Sequence, residues 1–211
     1  VPLLAITYLS PLVSITEKIG RTPNFIIWLH GLTGSRKTSL ALATLNHFGN
    51  FTSNTPPATF KDTHNSIEVK MFLAKDSLLV IDDFHPVVDS VQARQMKSTA
   101  EKILRNDGDR IGRSRMNSNM GLNKTFKPRG LAIVTGEDLP NGTSSTARFV
   151  GIEVKRDSID LDKLTEIQDN HELLGEAMLL YIQWISKNED RIQELILQYL
   201  DASRRIFNTN T

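Results

Sequence analysis

Residues 24–38 decide the fold, because Asn24-Phe25-Ile26-Ile27-Trp28-Leu29-His30 is followed without a break by Gly31-Leu32-Thr33-Gly34-Ser35-Arg36-Lys37-Thr38. The first part is mostly apolar and rich in β-branched and aromatic residues, a pattern that predicts a strand buried in a parallel sheet. A helix ending before Gly49 is predicted by apolar residues at helical spacing, namely Leu40, Ala41, Leu45 and Phe48. Strand, glycine-bearing loop and helix in this order are the context of a phosphate-binding loop.

The loop offers the groups that bind a nucleoside triphosphate. Its backbone N–H groups and the start of the next helix would surround the phosphates, and the Lys37 ammonium would reach the β and γ oxygens. The Thr38 hydroxyl would bind Mg²⁺. We therefore expect ATP and Mg²⁺ as cofactors, Lys37 as a catalytic residue, and nucleotide contacts from a contiguous run: Gly31, Leu32, Thr33, Gly34, Ser35, Arg36, Lys37, Thr38 and Ser39.

Arg36 stands where such loops normally have a glycine. A side chain there would obstruct the approach of phosphate to the backbone or force a different dihedral angle. The alternative interpretation of the loop is a glycine-rich turn that begins an ordinary helix.

Two carboxylates follow a second buried strand, Leu78–Ile81. Asp82 is expected to bind Mg²⁺ directly or through water, and Asp83 to orient or activate the attacking water. Adjacent carboxylates repel each other unless a cation lies between them. The aspartates follow the loop at a distance that a strand–helix–strand crossover allows. The alternative is a capped turn before His85-Pro86.

Polar residues also flank two later strands. The strand 130–135 ends at Thr135-Gly136-Glu137, where Thr135 or Glu137 would contact the γ-phosphate or its attacking water. Arg148 opens the strand 148–155 and, in a ring, would enter the neighbouring subunit's site as an arginine finger. A plain strand-ending turn is the alternative for Thr135 and Glu137, and a surface charge or a carboxylate partner is the alternative for Arg148.

The segment from Arg105 to Arg129 has a net charge of +5, from seven Lys and Arg against two Asp. Its glycines and its Asn117-Ser118-Asn119 tip predict a β-hairpin or loop between Ile111 and Phe126. Such a projection would bind a nucleic-acid backbone by counterion release. A solvated loop, or arginines serving the ATP site of the next subunit, is the alternative. The expected nucleic-acid contacts are Arg110, Arg113, Arg115, Lys124 and Lys127.

Alternating strands and helices predict an α/β fold, a mostly parallel sheet flanked by helices and followed by a helical subdomain. Short elements are expected near 58–60 (strand) and at 66–74 and 90–105 (helices). We divide the chain into an N-terminal helical segment (1–20), a P-loop ATPase core (21–157) and a C-terminal helical subdomain (158–211).

Length and composition set the outer limits. A chain of 211 residues fits one large α/β domain or a core with a small appendage. The net charge is only +1, so a nucleic-acid role must come from local charge clusters. The lack of cysteine excludes disulfides and cysteine-bound metals and is consistent with a cytoplasmic protein. No stretch predicts a membrane span. Because the chain begins with Val1 rather than Met, we expect a fragment of a longer polypeptide.

Taken in order, the phosphate loop, Leu78–Asp83, the basic segment, Ile133–Glu137 and Arg148-Phe149 resemble AAA+ ATPases. More narrowly, they are similar to the helicase-type ATPase domains of phage, plasmid and mobile-element replication proteins, close to superfamily III helicases. The resemblance covers residues 20–156 and implies a hexameric ring that translocates on DNA. The strand 130–135 departs from this family pattern, because it ends in Thr135-Gly136-Glu137 where superfamily III helicases usually have Asn.

The same resemblance implies a role for each matching residue. Lys37 and Thr38 would be the Walker A residues, Asp82 and Asp83 the Walker B residues. Thr135 would lie near sensor 1, Arg148 would be the finger, and the basic hairpin would line the pore.

Three functions are compatible with these motifs. The preferred one is an ATP-driven motor that translocates on DNA, with single-stranded DNA and further copies of the chain as partners. A small-molecule kinase would use the same loop with an acceptor pocket and an arginine-bearing lid. A nucleotide-binding switch that hydrolyses poorly is the third, because of Arg36.

Replacing Arg113 and Arg115 with Ala is expected to weaken DNA binding and to make its salt dependence shallower by about one unit of slope per lost phosphate contact. Binding titrations of single-stranded DNA at several salt concentrations measure both quantities. Unchanged affinity would remove the segment from the DNA path.

Overall fold

The computed structural model of the chain describes residues 1–52, 54–85, 89–110, 125–140 and 147–209, with side chains up to residue 206. Within these residues, five parallel strands form one sheet in the order β2-β3-β4-β1-β5. Because all pairs are parallel, the carboxyl ends of the strands share one edge. The strands are β1 (Ile26–His30), β2 (Ala58–Thr59), β3 (Leu78–Phe84), β4 (Leu131–Gly136) and β5 (Phe149–Glu153).

Helices cover both faces of this sheet, which confirms the α/β fold class predicted from the sequence. Short 3₁₀ turns follow α1 and α3, at Ser10–Leu12 and Asn46–Phe48. The helices are α1 (Pro2–Leu9), α2 (Val13–Lys18), α3 (Lys37–Leu45), α4 (His64–Leu73), α5 (Ser90–Asp109), α6 (Leu161–Asp169), α7 (His171–Lys187) and α8 (Glu189–Thr209).

Strand β1 lies in the middle of the core. Ile26 and Trp28 are fully buried in the apolar layer that includes residues of α4 and α5. Ile27 and Leu29 point to the opposite layer, which includes residues of α1 and α3. A strand covered on both faces needs apolar side chains at successive positions, which explains the continuous apolar run in the sequence.

The N-terminal helices connect the sheet to the C-terminal helices. Ile15 of α2 packs with Ile185 and Ile192. The Tyr181 hydroxyl donates to the backbone carbonyl of Tyr8 at 3.1 Å. In the described part of the chain, no helix combines the length and apolar character needed to cross a bilayer.

Helix α5 is longer than the sequence predicts. We expected it to end near Arg105 and a polar loop to begin at Asn106, but the helix continues to Asp109. The extension continues the buried side of the helix, since Ile103, Leu104 and Asp107 are each at most 1% exposed. An aspartate facing the core is not a helix signal in sequence, which is why the boundary was wrong.

Asp107 is a buried carboxyl group of α5. Neither of its oxygens has a hydrogen-bond partner among the described residues. The nearest cation is Arg110, with Nη1 at 3.7 Å from Oδ1. Burial raises the pKa of Asp107 from 3.8 to about 7, and the Arg110 charge opposes the rise. The folded protein thus retains a proton that the unfolded chain releases, so the free energy of unfolding decreases as pH rises through this interval.

Asp107→Asn is expected to raise the free energy of unfolding at pH 8 by about 4 kcal/mol, roughly three pKa units at 1.36 kcal/mol each, and to leave it nearly unchanged at pH 4, because the amide carries no charge to desolvate. Urea unfolding at both pH values measures the difference. Asp162→Asn, at an exposed position of α6, is the matched control. Equal effects of Asp107→Asn at the two pH values would contradict the buried-carboxyl account.

Candidate functional site

The phosphate loop (residues 31–38, the last two of which begin α3) connects β1 to α3 at the carboxyl ends of the strands. A close backbone contact fixes its first residue. A Cβ atom on Gly31 would lie 2.3 Å from the carbonyl oxygen of Val154, and the φ of Gly31 is +150°. Glycine is therefore required there, because the segment after β5 crosses directly beside the loop. Further along, the Ser35 N–H donates to the Leu32 carbonyl at 3.2 Å and closes a tight turn.

Lys37 lies inside the curve of the loop. Its Nζ donates to the carbonyl oxygens of Gly31 at 2.7 Å and Leu32 at 2.9 Å, and to Ser35 Oγ at 3.2 Å. Burial lowers the pKa of Lys37, while the charges of Glu137 and Asp82 oppose that shift. Only 8% of the residue is exposed. The ammonium group is thus directed into the place where the loop would bind an anion.

Arg36 adopts the conformation for which these loops use glycine. It is the N-cap of α3, with φ 64° and ψ 22°, in the left-handed region. A non-glycine residue in this region costs about 1–2 kcal/mol. The residue is exposed and lines the rim of the cavity. Arg36 therefore does not force a different dihedral angle on the loop, because its backbone adopts the left-handed conformation that glycine favours.

Asp82 joins three elements through one carboxylate oxygen. Thr38 Oγ1, from α3, donates to Asp82 Oδ1 at 2.7 Å. Thr135 Oγ1, from β4, donates to the same oxygen. A carboxylate beside a hydroxyl is the hard-oxygen ligand type that Mg²⁺ prefers. Thr38 and Asp82 therefore fit the metal role that the sequence predicts for them.

Asp83 points to different partners than Asp82, because the β3–β4 register shifts between Ile81 and Phe84. The shift places Asp83 at φ 73°. Its carboxylate lies 3.6 Å from Lys61 Nζ and 3.2 Å from His85 Nδ1. A bulge of this kind re-aims a side chain, so the two neighbouring carboxylates are separated by local backbone geometry.

Glu137 closes the far side of the site. Its Oε1 accepts a hydrogen bond from the Thr33 hydroxyl at the tip of the loop. The cavity between the loop and the strand ends has a volume of about 270 Å³. The structure brings the following predicted residues together around it: Lys37, Thr38, Asp82, Asp83, Thr135 and Glu137.

Arg148 lies at the amino ends of the strands, on the side of the sheet away from the loop. The next residue, Phe149, pairs with Ile26 at the start of β1, whereas the loop leaves from the end of β1. At about 3.3 Å per residue, the length of β1 separates Arg148 from the loop by roughly 13 Å. Its Nη2 lies 2.9 Å from Asp109 Oδ1. Arg148 is therefore not part of its own subunit's site, and its role as a finger in a neighbouring site stays a prediction.

Two of the predicted nucleic-acid residues have internal partners, and their contact with nucleic acid stays a prediction. Arg110 is only 9% exposed in its side chain, and its guanidinium donates to the carbonyls of Pro23 and Gly130. Lys127 donates to Glu17 Oε1. Arginine and lysine side chains donate hydrogen bonds to backbone carbonyls and carboxylates as readily as to phosphates. The number of charges in a segment does not distinguish these two kinds of partner. The remaining three lie outside the described residues: Arg113, Arg115 and Lys124.

The sequence interpretation missed Arg156. Its Nε donates to the carbonyl oxygen of Thr33 at 3.3 Å, so it contacts the phosphate loop from the segment after β5. The available signal was its position just beyond the end of a predicted strand, where the other site residues also lie. Lys61, which lies beside Asp83, was missed as well. It follows β2, and a strand of two residues gives little sequence signal that would place it in the sheet.

Comparison with known proteins supports the fold. No family model and no curated protein matches the sequence. The solved structure of SCCmec type IV Cch, described as an active helicase, aligns with a TM-score of 0.66 and 15% identity. The alignment covers 94% of this chain and 37% of that one, so this chain spans little more than a third of the Cch length. At this identity the match shows a shared fold.

Two other matches have TM-scores below 0.5 and are too weak to argue from. They are an inhibitor-bound JCV helicase (TM-score 0.46, 18% identity, 96% of this chain and 59% of that one) and the C-terminal region of NrS-1 (0.47, 13%, 84% and 44%). The sheet order and the Cch match show an α/β fold that is consistent with a P-loop NTPase-like architecture.

Arg36→Gly is expected to raise the free energy of unfolding by up to about 1 kcal/mol, since glycine removes the left-handed strain but is more flexible when unfolded. Arg36→Val is expected to lower it by about 1–2 kcal/mol, because a β-branched residue tolerates this conformation poorly. Urea unfolding compares the two variants. If Val is as stable as Gly, the left-handed assignment is wrong.

Proposed function

We propose that this chain is the ATP-hydrolysing module of a DNA helicase. The observation that carries the proposal is the meeting of Lys37, Thr38 and Asp82 at one edge of the sheet, around a cavity closed by the glycine-bearing loop. The fold shared with Cch, which is named a helicase, supports the choice of a motor over other users of this loop.

Nucleotide binding is assigned to the loop and Lys37. The backbone N–H groups at the start of α3 would donate to the phosphates. The Lys37 ammonium, which now donates to the carbonyls of Gly31 and Leu32, would exchange these neutral partners for phosphate oxygens. A charged partner makes a stronger hydrogen bond than a carbonyl, so this exchange favours binding.

Hydrolysis is assigned to the carboxylates of β3. Thr38 and Asp82 would hold Mg²⁺, which when bound neutralises charge on the phosphates. Asp83 would accept the proton of the attacking water at its carboxylate. Thr135 connects the two roles, because its hydroxyl donates to Asp82 and accepts from the Asp83 N–H at 3.4 Å. A displacement at either aspartate is therefore transmitted to β4.

Assembly into a ring is proposed from the distance between Arg148 and its own loop. In each subunit the proposed phosphate site would lie at the carboxyl ends of the strands, and Arg148 lies at their amino ends. Head-to-tail association closes into a ring when the rotation permits, and we propose a hexamer. Arg148 of one copy would then stabilise the charge that develops in the site of the next.

DNA contact is proposed for the basic segment from Arg105 to Arg129, through Arg113, Arg115 and Lys124. Single-stranded DNA is the proposed ligand, held through phosphate contacts that do not read sequence.

The proposal predicts ATP turnover that single-stranded DNA stimulates. Lys37→Ala should lower kcat/KM at least about 100-fold, and Asp83→Asn should retain ATP binding while lowering kcat by a similar factor. Steady-state phosphate release and equilibrium binding of ATP separate the two effects, with Lys163→Ala on exposed α6 as the control. Phosphate transfer to a metabolite, or binding without turnover, would overturn the proposal.

Mixing variants tests the finger. Subunits with Arg148→Ala mixed with subunits with Lys37→Ala should recover part of the turnover, because some interfaces then combine an intact loop with an intact arginine. A mixture of Lys37→Ala and Asp83→Asn is the control, since every site then carries a defect of its own subunit. Recovery in neither mixture would contradict action between subunits.

A further inference from the structure

The segment that follows β5 is built against the phosphate loop. The Val154 N–H donates to the His30 carbonyl at 2.7 Å, and the Val154 carbonyl occupies the space beside Gly31. Two residues later, Arg156 donates from Nε to the Thr33 carbonyl at 3.3 Å. A turn supports this arrangement, because Ser158 donates to the Lys155 carbonyl from its N–H at 3.2 Å and from Oγ at 2.8 Å.

Thr33 is held at two points. Its side-chain hydroxyl donates to Glu137, and its carbonyl accepts from Arg156. The following residue, Gly34, has φ +84° and nothing within 4 Å of the place where a Cβ would be. Steric contact therefore does little to orient the peptide between Thr33 and Gly34, and hydrogen bonds orient it: the two on Thr33, and the turn bond from the Ser35 N–H to the Leu32 carbonyl.

The orientation of that peptide decides where one N–H group points. In a trans peptide the C=O and the N–H point in opposite directions. A donor on the Thr33 carbonyl therefore turns the Gly34 N–H away from Arg156. Arg156 is exposed, whereas Lys37 lies buried within the loop. From this geometry we expect the Gly34 N–H to point to the side of the loop opposite Arg156.

We propose that Arg156 is a positioning residue that pre-orients the phosphate loop, so that the Gly34 N–H donates to the phosphates of the bound nucleotide. This inference rests on the proposed function, because it assumes that the loop binds phosphate. Arg156 acts through the Thr33 carbonyl, and its effect falls on polyphosphate binding irrespective of the base.

Arg156→Gln tests the proposal. The variant should weaken binding of both ATP and inorganic tripolyphosphate roughly three- to tenfold, the worth of one hydrogen bond. KM should rise while kcat changes little, because the loop would bind substrate and transition state alike. Lys155→Gln, the neighbouring exposed cation, removes the same charge and is the matched control.

Hydrogen exchange in the ligand-free protein gives a second readout. The Ser35 N–H closes the turn that contains the Thr33–Gly34 peptide. Arg156→Gln should therefore speed exchange of the Ser35 amide, Lys155→Gln should not, and Arg156→Lys should restore part of the protection because an ammonium can donate to the same carbonyl. Amide-resolved NMR measures these rates.

The outcomes separate the possible failures. If Arg156→Gln and Lys155→Gln weaken binding equally and leave the Ser35 exchange rate unchanged, the side chain contributes charge alone and the positioning role is overturned. If the wild-type chain binds neither ATP nor tripolyphosphate, the proposed function fails. In that case faster exchange in Arg156→Gln alone would still establish the contact with the loop.

Discussion

The site depends on the hydrogen bonds that bring two hydroxyl groups to one oxygen of Asp82. Thr38 comes from the first turn of α3 and Thr135 from the end of β4, so this single carboxylate connects the helix after the phosphate loop with two strands of the sheet. A partly buried carboxylate is stabilised in such a position by its hydrogen bonds. The same oxygen atoms are the ligand type that a hard cation requires, which explains why a structural junction and a metal site can coincide there.

Backbone geometry supplies the other constraint. Gly31 is pressed against the Val154 carbonyl, while Arg36 and Asp83 both take left-handed conformations beside the cavity. Strain at functional sites persists where surrounding structure enforces it. Here it has two consequences: the loop can curve around Lys37, and Asp83 is aimed away from Asp82. Arg36, which stands where such loops usually have glycine, thus lowers the stability of the fold. Its side chain is exposed, and the Lys37 side chain occupies the interior of the loop.

The parts that the sequence predicts well are those with a strong local signal. A continuous apolar run identifies β1, and the residues at the carboxyl ends of β1, β3 and β4 must meet because parallel strands share an edge. Asp107 and Arg110 could not be predicted in this way, and the position of Arg156 just after β5 indicated the edge of the sheet but not the contact with the loop. Each acts through a backbone carbonyl or a buried environment far away in sequence, and a charged residue has the same letter whether it faces water, a core or a loop. The three residues show that the number of charges in a segment does not reveal their direction.

The central claim is that a triphosphate occupies the loop beside Asp82, and a crystal structure of the chain soaked with Mg²⁺ and a non-hydrolysable ATP analogue tests it most directly. We expect the β- and γ-phosphates within hydrogen-bond distance of Lys37 Nζ, with the ammonium shifted from the Gly31 and Leu32 carbonyls and the metal between Thr38 and Asp82. A loop that stays empty at saturating analogue, with Lys37 still bound to those carbonyls, would contradict it.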